Sequence, residues 1–170
     1  MTPATQEELF AVFGRLGIAQ ETVEHPAIYT AEEGRRFHGQ IPGLACKNLF
    51  LKDKKGQIWL VCMPAEKRAH LAQLERAIGS ARLSFAKPEL LMEVLAITPG
   101  SVTPFALMND RDHRTRVVLD SAMLQAGLVN FHPLRNTAST ALQAEDLLRF
   151  IKELGFDPCC ADCGDWAEEA

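Results

Sequence analysis

The chain has 170 residues, 47% of them hydrophobic and 24% charged, with a net charge of −4. That length and balance point to one soluble globular domain, able to bury roughly two thirds of its unfolded surface. No apolar run approaches the roughly 18 to 20 residues of a membrane-crossing helix, and the opening MTPATQEELF lacks the basic region and apolar core of a signal peptide.

Five cysteines is an odd number without an export signal, so reduced thiols and a cytoplasmic location are expected. The charge is unevenly spread. Residues 47–87 hold nine Lys/Arg against Asp53, Glu66 and Glu75, whereas residues 141–170 hold eight acids against Arg149 and Lys152. A basic centre in an acidic protein suits a polyanion, although a solvated hairpin tip and helix face would look the same.

Along the chain, Thr5-Gln6-Glu7-Glu8 is a capping box, and Leu9, Phe10, Phe13 and Leu16 follow at helical spacing up to Gly17. ETVEHP predicts a short strand stopped by Pro26. Thr30-Ala31-Glu32-Glu33 opens a short second helix to about Phe37; its length and Gly34 make it marginal and a candidate mobile element. Residues 43–64, GLACKNLFLKDKKGQIWLVCMP, predict a hairpin around a Gly-containing polar turn. Lys47 and Asn48 at its entrance are odd there, because neither is a favoured strand residue.

AEKRAHLAQLERAIG predicts a helix over residues 65–79, ARLSFA a strand, and Pro88 the start of another helix. TPFALMND, RVVLD, GLVNFHPL and TASTALQ predict strands, and AEDLLRFIKELG a closing amphipathic helix. The expected class is α/β of the α+β type: a mixed, largely antiparallel curved sheet with peripheral helices. Residues 1–158 form the expected domain, and residues 159–170 an acidic, cysteine-containing tail expected to be loosely ordered.

Reactive motifs are sparse. Cys159, Cys160 and Cys163 make a C-x-x-C without a second pair, too few ligands for a structural zinc. Neither a G-x-S-x-G elbow nor a Gly-rich phosphate loop is present. Cys46 beside Lys47 has the look of an activated thiol, but a packing role is the simpler account. Gly100 and Pro104 give the 98–105 loop an unusual backbone path, though an ordinary helix-to-strand connection would serve as well. His132, between Phe131 and Pro133, could act as acid, base or hydrogen-bond partner, or be structural. His25 is read as structural.

Taken in order, Lys47-Asn48, the loop Gly100-Ser101-Val102-Thr103-Pro104 and the strand with Phe131-His132-Pro133 resemble the YbaK/ProX family. That family comprises the editing domain inserted in bacterial prolyl-tRNA synthetase and its freestanding relatives. The resemblance runs from about residue 5 to about residue 155, and among the branches it is strongest to the freestanding alanyl-tRNA(Pro) deacylases (ProXp-ala). It implies hydrolysis of the ester joining a wrong amino acid to the 3′ end of tRNA.

By the resemblance, Lys47, Asn48, Gly100 and His132 would form the catalytic set. Ser101, Val102, Thr103, Pro104 and Phe131 would line the substrate pocket, and Arg82 would contact the tRNA acceptor end, with Lys52, Lys54, Lys55, Lys67 and Arg68 as weaker surface candidates. The implied partners are tRNA(Pro) and potentially prolyl-tRNA synthetase; no cofactor, metal or membrane is implied, and a monomer is expected. An activated ester needs a placed water and oxyanion support rather than a protein nucleophile, which suits a chain without a triad. Two alternatives stay open: a non-catalytic module holding a tRNA end or a protein, and a deacylase for another mischarged tRNA such as Cys-tRNA.

Overall fold

The computed structural model describes residues 2–28, 33, 34, 37 and 39–166. Helix α1 (Gln6–Leu16) starts as its sequence dictates: Glu8 N–H donates to Thr5 Oγ1 at 3.1 Å and Thr5 N–H to the Glu8 carboxylate at 3.3 Å. It ends at Gly17, whose φ of 68° is the left-handed cap that glycine tolerates best. The buried face of α1 presents Phe13 edge-on to Phe105 and Phe150, with ring centroids 5.4 Å apart in both pairs. The short second helix expected over 30–37 falls largely outside the described residues.

Ten strands follow among the described residues: β1 (Glu21–Glu24), β2 (Leu44–Asp53), β3 (Ile58–Pro64), β4 (Lys67–Ala69), β5 (Leu83–Phe85), β6 (Thr115–Asp120), β7 (Leu128–Phe131), β8 (Ala138–Gln143), β9 (Cys159–Ala161) and β10 (Gly164–Trp166). The main sheet runs β1-β8-β7-β2-β3-β6-β9, with β5 also on β2. The β1/β8, β7/β8, β2/β3 and β2/β5 pairs are antiparallel, whereas β2/β7, β3/β6 and β6/β9 are parallel. The sheet is therefore mixed, as expected. Helices α2 (Leu71–Ile78), α3 (Pro88–Leu95), α4 (Ser121–Gln125) and α5 (Ala144–Glu153) surround it. Phe50, Leu60 and Cys62 join the larger core with α1 and α5, while Leu51, Val61 and Met63 face a smaller core under Leu74 of α2. This is the period-two alternation of strands buried on both faces.

Three expectations are corrected. TPFALMND is not a strand: Pro104–Asn109 is a 3-10 helix. Pro104 has no N–H for a ladder, the Thr103 hydroxyl accepts the Phe105 N–H at 3.3 Å, and Phe105, Ala106 and Leu107 are buried consecutively. The helix expected over 65–79 is confined to α2, because Lys67–Ala69 pairs with Gly164–Trp166 as β4/β10. Residues 159–166 are correspondingly ordered, with β9 beside β6 and β10 on β4.

Lys67 explains both of the last two. It is 4% exposed and its ammonium reaches Asp120 at 3.0 Å and Asp162 at 2.9 Å. Asp120 also accepts N–H groups from Ala122 and Met123, capping α4, and from Cys163 in the C-terminal segment. Burial opposes the Lys67 charge, but hydrogen bonds from Lys67 to Asp162 and Asp120 more than offset it and hold its pKa above the ordinary lysine value. One buried ion pair thus ties β4, α4 and the C-terminal strands together.

Lys67→Met should lower stability to urea by about 3 kcal/mol, at the low end for a broken buried pair because Asp120 keeps three N–H donors. Amide exchange in residues 159–166 should accelerate more than in α5. Unchanged exchange there would show that the pair does not hold the segment.

Candidate active site

The hydrogen-bond ladder of β2 determines where a ligand can reach it. Asp53 N–H donates to Gln57 C=O at one end and Ala65 N–H to Ala45 C=O at the other. Odd-numbered residues therefore bond β3, and even-numbered ones turn their N–H and C=O toward the opposite edge. On that edge β7 pairs only with Leu44 and Ala45, and β5 begins at Leu51. Among the described residues no strand pairs with Asn48 on that edge.

A cavity of about 340 Å³ opens at this gap, at the lower end of the range of small-molecule sites. Ala45, Ala65 and Gly100 make part of its wall small, and Lys47, Asn48 and His132 bring polar groups to it. The opposite rim is the 3-10 turn Pro99–Ser101 followed by Val102. Asn48 Nδ2 donates to Val102 C=O at 2.9 Å. A carbonyl can only accept, so this bond fixes the amide orientation and leaves Asn48 Oδ1 buried without a partner. Such an oxygen costs about 1–3 kcal/mol when empty.

Lys47 is half-buried and has no hydrogen-bond or ion-pair partner among the described residues. Desolvation lowers its pKa, partly offset by the negative charge of Glu66. His132 Nδ1 lies 2.9 Å from Ala138 C=O, so Nδ1 carries the proton and Nε2 is left as a lone-pair acceptor. Burial depresses the His132 pKa below its ordinary value against the Ala138 bond, and the neighbouring His25 lowers it further. Cys46 Sγ points at Leu44 C=O at 3.4 Å, and burial pushes its thiol far above the usual range. A thiol held in that form is a packing group, not a nucleophile.

Of the residues singled out from sequence, Lys47, Asn48, Gly100, Val102 and His132 meet at this cavity. Others do not line it. Thr103 and Pro104 are buried at the start of the 3-10 helix, where they cap it. Ser101 closes the preceding turn. Phe131 packs in the larger core with its ring 5.9 Å from Phe105, because its strand position faces inward. Arg82 is exposed beside the hairpin tip, where its C=O accepts Lys54 N–H. That is about six residues of β2 from Asn48, roughly 20 Å. Lys67, a weaker surface candidate, is withdrawn from the surface by its ion pair.

Sequence inspection did not single out Ser139, which lines the cavity, and read His25 as structural. His25 donates from Nδ1 to Pro26 C=O at 2.8 Å, and its Nε2 lies 2.9 Å from Ser139 Oγ, a cavity residue. Its ring is 6.0 Å from that of His132. Only the β1/β8 register brings these three together, and no local motif signals it.

The model of the aminoacyl-tRNA editing domain matches residues 25–150, which include this whole cavity. The chain belongs to the aminoacyl-tRNA editing domain family. Among editing-domain relatives, the bovine (Bos taurus) prolyl-tRNA synthetase associated domain-containing protein 1 is 41% identical over 148 residues, covering 84% of this chain and 86% of the bovine protein. The prolyl-tRNA editing protein ProX of Acetoanaerobium sticklandii is 34% identical over 151 residues, covering 88% of this chain and 92% of that protein. A crystal structure of a candidate trans-editing enzyme for prolyl-tRNA synthetase superposes with a TM-score of 0.72 at 22% identity, covering 97% of this chain and 99% of that one. At that identity the likeness concerns the editing-domain fold alone.

The depressed pKa of His132 gives a pH dependence of defined sign. The unfolded chain takes up its proton near pH 6.5 while the folded chain resists it until lower pH. The contribution to stability is therefore complete above about pH 6.5 and is lost as the pH falls through the folded pKa. Imidazole NMR should show His132 with Nδ1 protonated and a midpoint below 6.5. A midpoint above 6.5 would contradict the burial argument.

Proposed function

We propose that this protein is a trans-editing deacylase that removes alanine from mischarged tRNA(Pro). The observation that supports it best is the convergence of Lys47, Asn48, the Gly100–Val102 turn and His132 on one small cavity at an unpaired strand edge. On this reading the Lys47 ammonium, poorly solvated and without a hydrogen-bond or ion-pair partner among the described residues, engages the phosphate or ribose of the terminal nucleotide. Asn48 Oδ1 accepts a hydrogen bond from the α-amino group of the amino acid, which would satisfy the unpaired buried oxygen.

Water adds to the ester carbonyl, the carbonyl–ribose oxygen bond breaks, and the ribose oxygen takes up the proton that water releases. Neutral His132, with its Nε2 lone pair, orients the water or the amine rather than competing as a cation. The small wall residues select by size. A synthetase pocket built for proline cannot reject alanine strongly, and a smaller second site removes it afterwards.

The decisive measurement is single-turnover hydrolysis of Ala-tRNA(Pro) beside Pro-tRNA(Pro). Alanine should be released and proline spared. Lys47→Ala should slow release about ten- to a hundredfold, the worth of a charged hydrogen bond, whereas Cys46→Ser should retain most activity. Background loss of both amino acids would remove the deacylase and leave a tRNA-end or protein-binding module. Faster release from Cys-tRNA than from Ala-tRNA(Pro) would reassign the substrate.

The exposed cations of residues 52–87 suit phosphates further along the acceptor stem. Arg82→Ala should therefore impair hydrolysis of intact tRNA more than that of a minimal aminoacyl-adenosine. Equal impairment of the two would remove the stem contact.

A further inference from the structure

The cavity does not end at Asn48. Beyond the Asn48–Val102 hydrogen bond, a second groove of about 220 Å³ continues along the β2 edge, and Asn48, Pro99 and Val102 line both. Its outer wall is Phe85, which is 65% exposed at the end of β5. Among the described strand residues Phe85 is the most open aromatic ring: Trp166 is 53% exposed, and Phe50 and Phe131 are 6% and 3% exposed. Its exposure follows from the register. Phe85 opposes Leu51 and shares a sheet face with Leu83, but α2 covers Leu83 and Leu51 and stops short of Phe85.

The same face carries Lys47, because residues 47, 49 and 51 of β2 point to one side. Four residues separate Lys47 from Leu51, so Phe85 lies roughly 13 Å from Lys47 along the sheet. Lys87 stands exposed two residues on, and Arg82 three residues before. An open ring, a groove adjoining the cavity and flanking cations form the combination that binds single-stranded nucleic acid: charge tracks the backbone while a base stacks on the ring.

We propose that Phe85 and its groove are a stacking subsite for one nucleobase of a single-stranded RNA end, upstream of the nucleotide held at Lys47. The assignment rests on the reading of the cavity as a site for the aminoacylated 3′ end. A protein surface docking on Phe85 is the competing occupant, and it lacks any reason for the subsite to continue into the Lys47 cavity.

The test uses the full chain and a short, uncharged RNA ending in CCA, with 2-aminopurine replacing one upstream base at a time. At one position binding should quench the fluorescence. Phe85→Ala should abolish that quenching and weaken binding about 5- to 100-fold. Phe85→Tyr should preserve both, and Phe85→Leu, which keeps an apolar side chain without a π face, should behave like the alanine variant. Lys47→Ala should weaken binding while leaving the quenching at saturation. Wild-type affinity and quenching in Phe85→Ala, or no quenching at any position in the unaltered protein, would overturn the subsite. If alanine is still released from Ala-tRNA(Pro) in that case, the deacylase stands without it. Quenching that depends on Phe85 in a protein that hydrolyses no aminoacyl-tRNA would uphold the subsite and remove the deacylase.

Discussion

The rest of the site depends on a stretch of β2 that has a neighbour on one side only. β3 is bonded along its full length, but β7 leaves after Ala45 and β5 arrives at Leu51. An unpaired edge buried in a fold is normally a liability, since its N–H and C=O groups need partners. Here the Pro99–Val102 turn takes the place of a strand and satisfies only the Asn48 amide nitrogen. What remains open is the buried Asn48 Oδ1, at the wall of the cavity. Gly43, at φ +88°, lets β2 approach β7 before the two diverge; a Cβ there would meet Leu128 and Val129 backbone atoms at 3.0–3.1 Å.

Burial acts on Lys47 and His132 in the same direction, with different results. Lysine starts so far above neutrality that a lowered pKa leaves it a cation, now short of solvent and ready for an anion. Histidine starts near 6.5, so the same effect leaves it neutral. On the proposed reading, a cavity that holds a phosphate and an ammonium at once is served by one cation and one neutral acceptor. Two cations would repel the amino group.

The Lys67–Asp120–Asp162 cluster does for the C-terminal segment what the Asn48–Val102 bond does for the site. Each joins elements far apart in sequence through polar contacts, 95 residues for Lys67 and Asp162 and 54 for Asn48 and Val102. Segments held this way carry no local sign of where they dock. That accounts for two corrections, the strand at Lys67–Ala69 and the ordered residues 159–166. The 3-10 helix at Pro104–Asn109 has another cause. An apolar run says that a segment is buried, and not whether it is buried as a strand.

The capping box at Thr5, the glycine stop at Gly17, the β2/β3 hairpin, the proline start of α3 and the amphipathic period of α5 were legible in the sequence, because each arises from interactions within a few residues. The combination of Lys47-Asn48, the Gly100 loop and His132 was legible too, as a resemblance, since those residues recur in order. Which of the loop residues face the cavity was not. Val102 and Gly100 line it while Thr103 and Pro104 turn into the core, a division made by the cap of a 3-10 helix that the sequence presents as a strand. The pairing of His25 with Ser139, the retreat of Lys67 and the exposure of Phe85 likewise depend on strand register and on how far a helix reaches. Those are decided by side-chain packing across the whole chain, and only the tertiary structure resolves them.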